Sequence, residues 1–353
     1  MNLIRDKILI FFNREININS GGPSGFLAHN YIDKPREAFV LSSDLYNRNR
    51  FRYVCRRLFL SWPKNEDEFI YNEIGGKNYK YIYFHDCHTF EKVKRLIPSG
   101  QVVILQSHSP ELPSKELESL NASSELIHFT RSAEINSFQR ANIIVFPNPD
   151  CLSLYESLDF DKSKVRYMLS GCKSTQSKSK IPLDPHKINI LFIGRRNYIK
   201  GFDYLLNTFS RVMNVRTDIN LLLVGNGDFV DAENVFDIGF SSNPHNWMRN
   251  VDYVINTNRQ SYFDLSVLES LSCGAKLILA SNFGHTYFDG FSEDIHCFNV
   301  NDVDSLYNLL ISNDIRKVEG YSKANLDLYN SQFTDNHYMD RFLAFHQELI
   351  SHI

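Results

Sequence analysis

Four stretches hold the residue types best suited to chemistry. Between Phe192 and Phe209 the chain reads FIGRRNYIKGFDYLLNTF: Gly194 ends an apolar run, Arg195 and Arg196 follow, and Lys200-Gly201 leads into an apolar-periodic segment. Cations on the loop after a parallel strand suit a diphosphate, which arginine grips in bidentate fashion and lysine meets as a point charge. Alone, the segment also reads as a solvated basic turn. Leu221–Gly227, LLLVGNG, is a buried strand ending in a Gly-x-Gly turn that begins at Gly225, while Gly194 allows close backbone approach at the end of the earlier strand. A dinucleotide fingerprint needs a third glycine where Val230 stands, which argues against hydride transfer. In YFDLSVLESL, Tyr262–Leu271, a loop becomes a helix near Asp264, Leu265 and Ser266. Such a start offers unpaired N–H groups and a positive dipole end to a phosphate. Glu269, one turn further, is placed to accept hydrogen bonds from two ribose hydroxyls, although a lone helix carboxylate is more often merely solvated. The fourth stretch is in the first half. SGGPSGF, Ser20–Phe26, puts Gly21 and Gly22 where backbone amides can approach a phosphate or a hydroxyl, or simply turn. YIYFHDCH and VILQSHSP set His85, Asp86, His88 and His108 just past strand ends. Three histidines and an aspartate resemble a metal set, but their spacing is irregular, and no metal is expected there.

These residues need a scaffold, and short apolar runs alternating with longer helical patterns supply one of parallel βαβ units. The expected strands of the first half are Lys7–Phe12, Ala38–Leu41, Tyr81–Phe84, Val102–Gln106, Leu126–Phe129, Asn142–Phe146 and Val165–Leu169. Those of the second are Asn189–Ile193, Asn220–Val224, Val235–Ile238, Tyr253–Asn256, Lys276–Ala280 and Ile295–Asn299. Phe202–Val212 and Val303–Ile311 have helical spacing. SGCKSTQSKSKIPLDPH, from Ser170 to His186, is rich in serine and lysine and poor in apolar residues, which reads as a linker. The expected division is therefore an acceptor-side domain over 1–170, a linker over 171–187, a donor domain over 188–331 and a C-terminal helix over 332–353. Ligands of such sheets bind beyond the C-terminal strand ends, so two facing sheets put the site in the cleft between them.

Composition narrows the class. The chain has 353 residues, 43% hydrophobic and 22% charged, as in ordinary globular proteins of two domains. Residues 1–180 hold 25 Lys+Arg against 20 Asp+Glu, a net of +5, and the remainder 13 against 21, a net of −8, summing to −3. The basic first half suggests an anionic partner, whereas so small a total argues against a nucleic-acid binder. Arg48, Arg50, Arg52, Arg56 and Arg57, set among aromatic and aliphatic residues, suit an anionic lipid surface or an acceptor pyrophosphate as well as a solvated helix face. The six cysteines are scattered with no Cys-x-x-Cys pair, which fits reduced thiols in a cytoplasmic protein. The first apolar run is too short for a secretion signal or a membrane span. The lone Asp159-x-Asp161 lies in a charged, surface-like segment and is weak evidence for a metal-dependent enzyme.

In order, the second-half motifs resemble the donor domain of glycosyltransferase family 4, whose fold is GT-B: two Rossmann-like α/β domains facing across a cleft, with a C-terminal helix crossing back to the first. Gly194-Arg195, Lys200-Gly201, Val224–Gly227, Phe263, Leu265, Leu268-Glu269 and Cys273-Gly274 match its pattern in order, over residues 189–310. The likeness implies a retaining hexosyltransferase that moves a sugar from a nucleoside diphosphate to an acceptor hydroxyl without a cofactor or an obligatory metal. Arg195 and Lys200 would neutralise the diphosphate and Glu269 would hold the ribose. His108 falls where the family often has a histidine lining the sugar site, with His85, Asp86 and His88 on the acceptor side. The expected setting is bacterial surface polysaccharide synthesis on a glycan or lipid-linked acceptor, in the cytoplasm or at the inner membrane face. The rivals are a sugar-nucleotide epimerase of the same fold and a non-catalytic nucleotide or sugar binder. Two positions depart from the pattern: Ser261 replaces the glutamate that usually contacts the donor sugar, and Asp264 replaces a glycine. An acid at 264 repels a diphosphate unless its side chain turns back to cap the helix.

Overall fold

The computed structural model describes residues 3–46, 65–174, 179–317 and 320–351. The arginine run Arg48–Arg57 lies outside them. The chain forms two compact units, one of Met1–Pro147, Leu152–Leu169 and Met339–Ile353, the other of Asn148–Cys151 and Ser170–Tyr338.

In the first unit six parallel strands, β1 (Ile4–Ile10), β2 (Phe39–Leu41), β3 (Tyr79–Phe84), β4 (Val102–Gln106), β5 (Ile143–Phe146) and β6 (Val165–Tyr167), pair in the order β2-β1-β3-β4-β5-β6. Their apolar runs are continuous because helices cover both faces, as parallel sheets require, and Ile8–Phe11 are wholly buried. The expected strand at Leu126–Phe129 is instead the first turns of a helix, Ser124–Arg140. Ser123 caps it, accepting from Leu126 N at 3.3 Å, and Leu126 and Phe129 stay exposed. A four-residue apolar run carries no period of its own, and the cap decides its conformation. The final helix, Asp335–Ser351, buries Phe342 edge-on against Tyr31 and Phe39, and Tyr81 Oη donates to Leu349 O at 2.8 Å.

The second unit repeats the plan. Its strands β7 (Ile188–Ile193), β8 (Ile219–Val224), β9 (Val235–Gly239), β10 (Tyr253–Asn256), β11 (Lys276–Ala280) and β12 (Ile295–Phe298) are parallel in the order β12-β11-β10-β7-β8-β9. From β7 the chain winds outward through β8 and β9, then returns to β10 on the other side. The switch point lies between β7 and β10, where their C-terminal ends open a crevice for a ligand. Leu205, Phe209 and Val212 of the Phe202–Met213 helix pack with Ile190, Phe192 and Leu221 beneath it. Part of the Ser170–His186 segment is bound to this unit: Cys172 N donates to Phe333 O at 2.8 Å, and Ile181 N to Asn250 Oδ1 at 3.2 Å. Among the described residues no helix is long and apolar enough to cross a membrane.

Candidate active site

The crevice between β7 and β10 is built around glycines that no other residue can replace. Gly225 has φ +138°, and a Cβ there would sit 2.0 Å from Gly194 O. Gly201 has φ +64°, and its Cβ would meet Thr257 O at 2.0 Å. These close approaches bring the β7 and β8 ends together and hold the Lys200 turn against the end of β10, where Thr257 Oγ1 donates to Lys200 O at 2.9 Å. In front of Gly194 there is open space.

Among the described residues, four nearby cations divide by role. Arg196 is buried and forked onto Asp237 of β9, with further bonds to Gly225 O and Asp228 O. Its guanidinium holds the Asp237 carboxyl down at about 2, so this arginine fastens the β8–β9 turn. Arg259 forks onto Asp203 at 2.6 and 2.8 Å and lies 3.9 Å over the Tyr198 ring. Arg195 is exposed, and Lys200 keeps 17% of its side-chain surface.

Lys200 Nζ lies 2.7 Å from Asp264 Oδ1. Asp264 Oδ2 also accepts from Asn258 Nδ2 at 3.0 Å and lies 2.8 Å from His285 Nε2. Burial opposes ionisation of this carboxyl, but Lys200 and His285 outweigh it and hold it well below the usual carboxylate range. Asp264 does not turn back to cap its helix. It stands at the N-cap of Leu265–Ser272 without a side-chain capping bond, its oxygens facing Lys200, His285 and Asn258 of its own loop instead. The opening amides of Leu265 and Ser266 thus receive no side-chain cap. Glu269, one turn in, keeps 14% of its side-chain surface and lies 3.3 Å from His245 Nε2, on the Pro244–Asn250 helix. Ser261 is fully buried, its hydroxyl without a hydrogen-bond partner among the described residues.

The first-unit candidates separate. His85 Nδ1 and His108 Nε2 share a hydrogen bond of 2.9 Å, with His85 stacked on Tyr83 and His108 packed on Phe26. Burial keeps His108 down at about 3 against a weaker upward pull from Asp86. Burial, with His108 second, also keeps His85 well below its ordinary value. Asp86 caps the Cys87–Val93 helix, accepting from Thr89 N at 2.7 Å, and pairs with Arg14 at 2.8 Å. His88 turns to Thr130 Oγ1 at 2.9 Å, away from the pair. Gly21 is the N-cap of Gly22–Asn30, and Gly22 has φ +61° with open space where a Cβ would stand. A cavity of about 390 Å³ opens past β1 and β2, lined among others by Phe12, Arg14, Glu15, Ser42 and Tyr46. Among the described residues no group of three His, Cys, Asp or Glu is placed to hold a metal ion.

Three site neighbours escape a sequence reading. Asn258, His245 and His285 carry no motif and reach the site from separate loops or helices, although His285 closes the small-residue run Ser281–His285 after β11.

Residues 187–312 match the family model of glycosyl transferases group 1. No curated protein sequence matches the chain. Among solved structures, HepE of Anabaena in complex with UDP-glucose superposes with a TM-score of 0.67 at 14% identity, covering 98% of this chain and 100% of that one. Sucrose-phosphate synthase of Thermosynechococcus elongatus gives 0.68 at 12% identity, with 98% and 100% covered. A glycosyltransferase of Rickettsia africae gives 0.57 at 13%, with 99% of each covered. Residues 187–312 thus carry the domain of glycosyl transferases group 1, and the two parallel six-stranded sheets are those of the GT-B fold.

Proposed function

We propose that the protein is a glycosyltransferase that moves a sugar from a nucleoside diphosphate to an acceptor hydroxyl, with retention at the anomeric carbon and no obligatory metal. The observation that carries this is the convergence of Gly194, Arg195, Lys200 and the uncapped amides of Leu265 and Ser266 at the β7–β10 switch point. When the bond from the anomeric carbon to the donor phosphate breaks, negative charge grows on the leaving diphosphate. In this reading Arg195, Lys200 and the helix start stabilise that growing charge, which is the most effective electrostatic help a site can give. The acceptor oxygen forms the new bond to the same carbon, and its proton leaves to solvent or to the departing phosphate. Glu269, beside His245, is assigned the role of accepting hydrogen bonds from both ribose hydroxyls. UDP and UDP-glucose are the first ligands to test, since HepE of Anabaena was solved with each.

The acceptor side is assigned to the first unit, with Gly21, Gly22, His85 and His108 and the cavity beside Arg14 as its candidates. A glycan on a lipid carrier in bacterial surface polysaccharide synthesis suits the basic first half, with cytoplasmic catalysis at the inner membrane face. The Lys200–Asp264 pair favours a second reading, a nucleotide binder without transfer. Incubation with UDP-glucose and a pool of glycan and lipid-linked acceptors decides: acceptor-dependent release of UDP supports transfer, acceptor-independent release supports an epimerase, and binding without release supports the binder.

A further inference from the structure

Asp264 is odd for where it stands. A carboxylate at a helix N-cap ordinarily turns back to the first amides, yet this one reaches outward to an ammonium, an imidazole and an amide. It thereby occupies, on Lys200, the place an anionic ligand of that lysine needs. Lys200 and Asp264 keep 17% and 13% of their side-chain surface, so the pair is not sealed and solvent reaches the ammonium. If Lys200 leaves, Asp264 retains Asn258 and His285, and the carboxylate is not stranded.

Building on the donor-site reading above, we infer that Asp264 is an internal anion held on Lys200 until a nucleoside diphosphate displaces it. Donor binding is then an exchange of carboxylate for phosphate on one ammonium. The exchange weakens diphosphate affinity relative to a site with an uncharged residue at 264, because the carboxylate remains close and repels the incoming charge. The same repulsion helps expel the nucleoside diphosphate after transfer, when Lys200 returns to Asp264. No covalent step is involved.

A purely structural ion pair makes a different prediction. Its loss loosens the site and weakens every ligand alike, whether or not the ligand has a phosphate. Calorimetric titrations of UDP, UMP and uridine into wild type, Asp264→Asn and Asp264→Gly separate the two. The glycine variant guards against an asparagine that fails to fold, since the extended backbone at 264 (φ −65°, ψ 131°) suits any residue. The exchange predicts that UDP binds about tenfold more tightly to both variants, UMP gains less, and uridine is unchanged. Wild-type binding of UDP with no gain in either variant, or a parallel loss for all three ligands, overturns this inference alone. Absence of UDP binding in every protein overturns the donor-site reading and this inference with it.

Discussion

The strand-end residues of the two units solve opposite electrostatic problems. At the β7–β10 crevice Arg195, Lys200, Asp264 and Glu269 are charged, partly open to water, and set beside the uncapped start of a helix. Past β3 and β4, His85 and His108 are packed among Tyr83, Phe26 and Tyr31, with protonation of both suppressed by burial. Charges that remain solvated can be exchanged for those of a ligand at modest cost, whereas neutral, buried rings shape a wall and hold a hydrogen bond. The first environment suits a polyanion and the second the hydroxyl-rich face of a sugar or acceptor.

Removing the charge at the crevice is the strongest way to break this contrast. Lys200→Ala deletes the ammonium and leaves Asp264 facing the phosphates, so UDP affinity should fall by about 3 kcal/mol, the top of the range for charged hydrogen bonds. Arg195→Ala removes one cation from the same crevice and should cost about 1.5–2 kcal/mol. Equal, negligible losses by calorimetry in both variants would remove the crevice from donor binding.

Glu269→Gln sharpens the same side. It should weaken UDP by about 1–3 kcal/mol and narrow the preference for UDP over 2′-deoxy-UDP, as one charged acceptor of the ribose hydroxyls is lost. Unchanged ribose preference would return Glu269 to a merely structural partner of His245.

The histidine pair makes a smaller, pH-dependent contribution. His108 titrates at about 3 in the folded chain and near 6.5 when unfolded, so between those values the unfolded state binds more protons. Its neutral burial is therefore fully compatible with folding above about pH 6.5, and stability falls as the pH drops from there toward 3. His108→Gln should flatten part of that slope in melting temperature, and a wild-type-like slope would show that His108 is not its source. The smallest effect is expected from EDTA, which should leave transfer unchanged. Loss of transfer in EDTA with recovery in Mg²⁺ or Mn²⁺ would return attention to Asp159 and Asp161.

Much of this contrast was legible in the sequence, and the illegible part has physical reasons. The two parallel sheets and the glycines at 194, 201 and 225 follow from apolar runs and turn chemistry, which are local. Leu126–Phe129 reads as a strand because so short a segment lacks a period, and the Ser123 cap makes it a helix. Arg196 beside Arg195 looked equivalent in the sequence, yet Asp237, 41 residues away, claims it. Asp264 reaches Lys200, Asn258 and His285 across loops after three different strands, a meeting that no single segment encodes. Which charges are spent on the fold and which remain for a ligand is a tertiary property.

A crystal structure of the protein with bound UDP would show where the donor sits. The diphosphate should lie against Arg195, Lys200 and the amides of Leu265 and Ser266, with Lys200 drawn off Asp264 and the ribose on Glu269. UDP found instead in the first unit's cavity beside Phe12 and Arg14, with the Lys200–Asp264 pair intact, would contradict the donor-site reading.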